Sequence, residues 1–115
     1  MTEPVVRKHF VFFGTVQHVG FRRRARAAAE AVGATGWVRN NRAGTVSMEI
    51  QGTEAQIGRV LRTLERAPRI QIDHIRVRAM PLEEEEGFYR WAEYKRRRAA
   101  QNPSSPDDAG ESAEV

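Results

Sequence analysis

The chain has 115 residues, no cysteine, and 19 Lys and Arg against 15 Asp and Glu, for a formal net charge of +4. That length gives one domain with a modest core, and the lack of cysteine excludes a disulfide framework, thiolate chemistry and any Cys-based metal site. No apolar run approaches the roughly 20 residues of a membrane helix, the first residues carry no hydrophobic leader, and the expected compartment is the cytoplasm.

The charge is uneven. Residues 99–115 hold no Lys or Arg and four acids, Asp107, Asp108, Glu111 and Glu114. The remaining body therefore carries all 19 basic residues with 11 of the 15 acids, a net +8. Such a body favours anionic ligands. The tail is Pro, Ser, Gly and acid, cannot bury apolar surface, and is expected to be disordered. Residues 1–98 are expected to form the domain.

In chain order, residues 8–13 read as a buried strand, a short run of aromatic and β-branched residues. A loop follows at 14–20. Phe21, Ala25, Ala28 and Val32 then recur at helical spacing, with Gly33 where a C-cap glycine belongs. Residues 35–40 predict a second strand and 45–51 a third, with Asn41, Arg42, Ala43 and Gly44 as the hairpin turn. In the third strand Val46, Met48 and Ile50 face one side and Ser47, Glu49 and Gln51 the other. Thr53 with Gln56 reads as a capping box. Ile57, Val60, Leu61 and Leu64 give the stripe of an amphipathic helix that Pro68 stops. A fourth strand lies within 70–79, and its apolar phase changes between Ile72 and Ile75, which predicts a bulge. Residues 83–86 read as a solvated acidic connector, and 88–94 as a fifth strand or the start of a helix. The order β-α-β-β-α-β predicts an α+β fold, a ferredoxin-like sandwich whose mainly antiparallel sheet carries two helices on one face.

Two stretches carry chemistry. Gly14-Thr15-Val16-Gln17-His18-Val19-Gly20-Phe21-Arg22 joins the first strand to the first helix, and Gly36-Trp37-Val38-Arg39-Asn40 ends the second strand. The first N–H groups of a helix lack intrahelical partners, and the peptide dipoles leave partial positive charge there. A phosphate meets both needs, and a guanidinium beside it adds a planar fork of matching geometry. Val16, Gln17, His18, Val19 and Gly20 are candidates to offer backbone N–H groups as a concave nest.

The two stretches resemble the acylphosphatase family, which carries a G-x-V-Q-G-V-x-F-R loop followed by a G-W-V-x-N strand end. Eight of the nine loop positions fit, and His18 stands where the family has Gly. The resemblance covers residues 6–91 and implies the same ferredoxin-like fold. It implies hydrolysis of small acyl phosphates to carboxylate and inorganic phosphate, with no cofactor and no metal. It implies that Arg22 is the phosphate-binding arginine and that Asn40 orients the attacking water. A neutral amide suits that task, since it can accept from water and donate to a phosphoryl oxygen. The leaving carboxylate has a pKa of roughly 4, so no general acid is needed. A monomer is expected.

The remaining candidates have plainer readings. Arg23, Arg24 and Arg26 read as solvated charges, Asn41 as a turn former, and Trp37 as a packing anchor. His18 strains the backbone if its φ is positive, although His occupies that region more often than most residues. Ala43 and Arg90 are further departures, Arg90 standing where an apolar residue belongs. Two rival functions follow. One is an anion-binding module disabled by His18. The other is a nucleic-acid binder, against which the chain lacks the aromatic-rich motif of RNA-recognition modules, so nucleic acid is not an expected partner.

Overall fold

A computed structural model describes residues 3–101. The elements are β1 (Val5–Thr15), α1 (Phe21–Val32), β2 (Thr35–Asn40), β3 (Val46–Thr53), α2 (Glu54–Arg66), β4 (Gln71–Met80), β5 (Phe88–Arg90) and α3 (Trp91–Gln101). The five strands form one sheet in the order β4-β1-β3-β2-β5. All pairs are antiparallel except β2 with β5, which are parallel. This is the ferredoxin-like α+β sandwich expected from the sequence.

Strand alternation explains the layers. Phe10 and Phe12 of β1, Val46, Met48 and Ile50 of β3 and Val38 of β2 share one face, because successive side chains alternate. They pack on Phe21, Ala25 and Ala29 of α1 and Ile57, Val60 and Leu64 of α2 in one buried cluster. The capping box at α2 is formed: Thr53 Oγ1 accepts from the Gln56 N–H, and Gln56 Oε1 accepts from the Thr53 N–H. The phase change in β4 is a register shift. Phe13 pairs with His74 and Gly14 with Ile72, so Asp73 is left over. Gly14 has a φ of 134°, and a Cβ there meets the Gln71 carbonyl. The bulge therefore requires glycine at this point.

The opposite face holds what the sequence reading missed. Residues 88–94 are neither wholly strand nor wholly helix, since β5 ends at Arg90 and α3 begins at Trp91. A third helix joins the two expected ones and packs across β2 and β5. Trp91 meets Trp37 with ring centroids 4.7 Å apart, and Trp37 is buried, the packing role expected of it. Helix α3 runs to Gln101, three residues beyond the expected end of the domain; residues 102–115 of the acidic tail lie outside the described part.

The acidic connector is not simply solvated. The Glu85 side chain is 2% exposed and the Arg7 side chain 1%. Arg7 donates to Glu85 Oε2 at 2.6 Å, Glu49 Oε1 at 3.1 Å and Gln51 Oε1 at 3.3 Å. Glu85 also accepts from Thr35 Oγ1 at 2.8 Å and from the Tyr94 hydroxyl at 2.6 Å. The run of four acids reads as uniform charge, but the connector crosses the sheet directly over Arg7. Burial lowers the Arg7 pKa, and Glu85 followed by Tyr94 and Glu49 more than reverses this, so Arg7 is held protonated.

Two outcomes follow. Glu85→Gln leaves Arg7 buried with a weakened partner set and is expected to cost about 3 kcal/mol in chemical denaturation, since breaking a buried pair exposes an uncompensated charge. A cost under about 1 kcal/mol overturns this account. Burial, and then the hydrogen bond to Glu85, push the Tyr94 hydroxyl up to about 12. A raised phenol pKa adds stability that is complete below the unfolded value of about 10 and is lost as pH rises through the folded value. Stability of the wild type should therefore fall between about pH 10 and 12 more steeply than that of Tyr94→Phe, and parallel pH curves would refute the coupling.

Candidate active site

The loop after β1 runs over residues 16–20 and delivers the chain to α1. Gly20 caps the helix with φ 81°, in the left-handed region, and supplies no side-chain cap. The first turn of α1 holds no acid, and among the described residues none of the turn, loop or cap backbone hydrogen bonds uses an N–H of residues 17–20. The helix start thus keeps its donors and its partial positive charge. Val16 is 1% exposed and serves the core, while Val19 packs against it. Their side chains are structural, which leaves only backbone groups for a ligand.

Gln17 does something that the sequence reading did not assign. Its Nε2 donates to the Asn41 carbonyl at 2.7 Å and the Thr45 carbonyl at 2.9 Å. The loop is therefore tied to the β2–β3 turn.

The structure separates the adjacent asparagines. Asn41 is spent on the turn, with Nδ2 donating to Thr45 Oγ1 at 3.0 Å and Ser47 Oγ at 2.8 Å and Oδ1 accepting from Arg39 Nε at 3.2 Å. Asn40 Oδ1 is shielded from solvent and has no protein partner among the described residues. Such an oxygen costs about 1–3 kcal/mol when left unsatisfied.

Arg22 and Asn40 line one cleft of about 540 Å³. Arg39, Arg42 and Arg90 line it as well, and among the described residues its wall contains no carboxylate. Arg22 forms no ion pair among the described residues. Its pKa is lowered by burial first and by the neighbouring Arg90 second. The site is thus short of negative charge. Arg90 was legible in the sequence only as a departure from pattern. Residues 16–20 do not line this cleft themselves; they adjoin it through Arg22 and through the Gln17 contact with Asn41. A second cavity of about 640 Å³ is lined by Arg24, Arg59, Arg62 and Arg66. It is the roomier of the two, but it contains neither Asn40 nor Arg22, so the smaller cleft is the better site for chemistry. Arg23 is exposed, as a solvated charge should be, and Arg26 pairs with Glu30.

The model of the acylphosphatase family matches residues 8–90. The chain belongs to this family. It is 40% identical over 82 residues to the acylphosphatase of Bifidobacterium longum, covering 70% of this chain and 84% of that one. It is 42% identical over 81 residues to that of Pseudomonas paraeruginosa, covering 70% and 89%. In three dimensions it is similar to the crystal structure of acylphosphatase from Bacillus subtilis, with a TM-score of 0.68 and 26% identity over 73% of this chain and 96% of that one. Membership supports an enzyme that hydrolyses acyl phosphates, and does not favour the binding-module alternatives. Of the cleft residues, Trp91 and Ala92 fall outside the matched region.

His18 has φ 61°, the one positive φ at a non-glycine residue among those described, and it is exposed. The strain foreseen at this departure from the acylphosphatase pattern is present. Relieving it is worth roughly 1–2 kcal/mol, offset by about 0.4–1 kcal/mol for the added unfolded-state freedom of glycine. His18→Gly should raise stability by up to about 1 kcal/mol in denaturant titration. It should also raise kcat/KM at pH 7.5, the outcome expected when the bulk of a neutral imidazole is removed from the loop. A fall in kcat/KM at that pH would mean that the histidine has become part of the cradle.

Proposed function

We propose that this acylphosphatase binds the phosphoryl group of its substrate with Arg22 and the backbone N–H groups of Val16, Gln17, His18, Val19 and Gly20, and that Asn40 orients the attacking water. The observation that supports the reading best is that Arg22 shares one cleft with the Asn40 oxygen, which among the described residues has no partner and no carboxylate beside it. A water bound to that oxygen satisfies it and is aimed by it. The phosphoryl oxygens neutralise a cleft that otherwise holds only positive charge among its described residues.

The steps balance simply. Water adds to phosphorus as the bond from phosphorus to the acyl oxygen breaks; the acid leaves as a carboxylate, and inorganic phosphate takes up the water oxygen. The carboxylate is a good leaving group, with a pKa of roughly 4, and needs no protonation. Charge spreads over the phosphoryl oxygens in the transition state, so positioning and electrostatics supply the catalysis. A monomer is our reading of the working unit. A cysteine-free composition needs no oxidising compartment, and a cytoplasmic enzyme is our reading.

Arg22→Ala should weaken binding of inorganic phosphate at least tenfold, since a bidentate charged contact is worth about 1.5–3 kcal/mol. Asn40→Ala should lower kcat by about 10²–10³-fold, as loss of another positioned amide does, with little change in KM. Steady-state kinetics on benzoyl phosphate and a phosphate titration check both. Undiminished phosphate binding in the first variant, or unchanged kcat in the second, would remove that residue from the site.

A further inference from the structure

An acyl phosphate has two unlike ends, a phosphoryl dianion and an uncharged acyl group. The cleft has two unlike sets of lining groups. Four arginines and two asparagines make one set, while Val38, Trp91 and Ala92 make the other. Val38 is fully buried and offers almost no surface, and Ala92 is small. The half-buried Trp91 is the one large apolar group among the described residues of the wall. It is held from several sides: its ring lies 4.7 Å from that of Trp37 and 5.8 Å from that of Tyr94, and the Arg39 guanidinium stands 5.4 Å from its centroid. The Tyr94 hydroxyl is in turn tied to the buried Glu85. A side chain fixed in this way loses little freedom when it receives a ligand, which is the condition for selective binding.

We propose that Trp91 is a specificity-determining residue, forming the wall against which the acyl group packs and favouring acyl phosphates with an aromatic or similarly broad apolar acyl group. This rests on the reading of the cleft as the acyl phosphate site. Trp91 begins α3, one residue past the region matched by the family, so the wall belongs to this chain's own C-terminal helix. A broad acyl group gains from covering the indole, whereas an acetyl group is too small to cover much of it.

The test compares kcat and KM on benzoyl phosphate and acetyl phosphate for the wild type, Trp91→Ala, Trp91→Leu and Trp91→Phe, with a thermal midpoint for each. Trp91→Leu keeps an apolar filler against Trp37, so the comparison stands if Trp91→Ala fails to fold. The wild type is expected to show the lower KM for benzoyl phosphate. Trp91→Ala and Trp91→Leu are expected to cut the benzoyl-to-acetyl ratio of kcat/KM by about tenfold, carried by KM, and Trp91→Phe to restore most of it. An unchanged ratio, with both substrates losing activity in step with the thermal midpoint, overturns the proposal alone and leaves Trp91 a packing residue. A wild type that hydrolyses neither substrate overturns the reading of the cleft itself and the proposal with it.

Discussion

The cleft depends on one constraint of strand direction. β1 and β2 each pair antiparallel with β3, which lies between them, so they run parallel to each other. Their carboxyl ends therefore reach the same edge of the sheet. The loop that starts α1 and the Asn40 that ends β2 come together for this reason, although they are some twenty residues apart in the chain. Open α/β sheets form their ligand crevices outside strand carboxyl ends for the same geometrical reason. The Gln17 amide then fastens the loop to the hairpin turn through two carbonyls, converting nearness into fixed geometry.

The site is held in an uncomfortable state by the rest of the molecule. A non-glycine residue sits at φ 61°, an amide oxygen is buried without a partner among the described residues, and a half-buried arginine faces a second arginine. Each raises the free energy of the unliganded protein. The apolar cluster between the sheet and α1 and α2 offsets these costs. Strain in the adjoining loop, and in the cleft an amide oxygen without a partner among the described residues and two neighbouring arginines, are costs that the proposed anion and water would relieve.

The C-terminal helix adds a second layer to the other face of the sheet. Its anchor is ionic and hydrogen-bonded where the main core is apolar, with Arg7, Glu85, Tyr94 and Thr35 satisfying one another. Such a network tolerates little error, because each buried member depends on the others. It gives the helix one seat, and that seat brings Arg90 and Trp91 to the edge of the cleft. The extension thus links the stability of the open face to the shape of the site.

Much of this was legible in the residues. The capping box at Thr53, the phase change at Ile72 and the left-handed cap at Gly33 are local signals, set by neighbours within a few positions, and each appears where the pattern predicts it. Arg22 stands out for a similar reason, since a helix start has unmet N–H groups, whereas Asn40 stands out only through the resemblance of its strand end to the family motif. Other features depend on partners distant in sequence. Glu85 reads as one acid among four until the fold sets it over Arg7, 78 residues away. Gln17 reads as a cradle residue until its amide meets the turn 24 residues on. Arg90 reads as an anomaly in a last strand until β5 places it beside Arg22. Sequence alone determined the elements as far as β4, the fold class and the chemistry on offer, because short-range sterics and hydrogen bonding govern those. Only the tertiary structure decided which charge is buried, which of two adjacent asparagines is left free and which aromatic ring walls the cleft, because those depend on what long-range packing brings within a few ångströms.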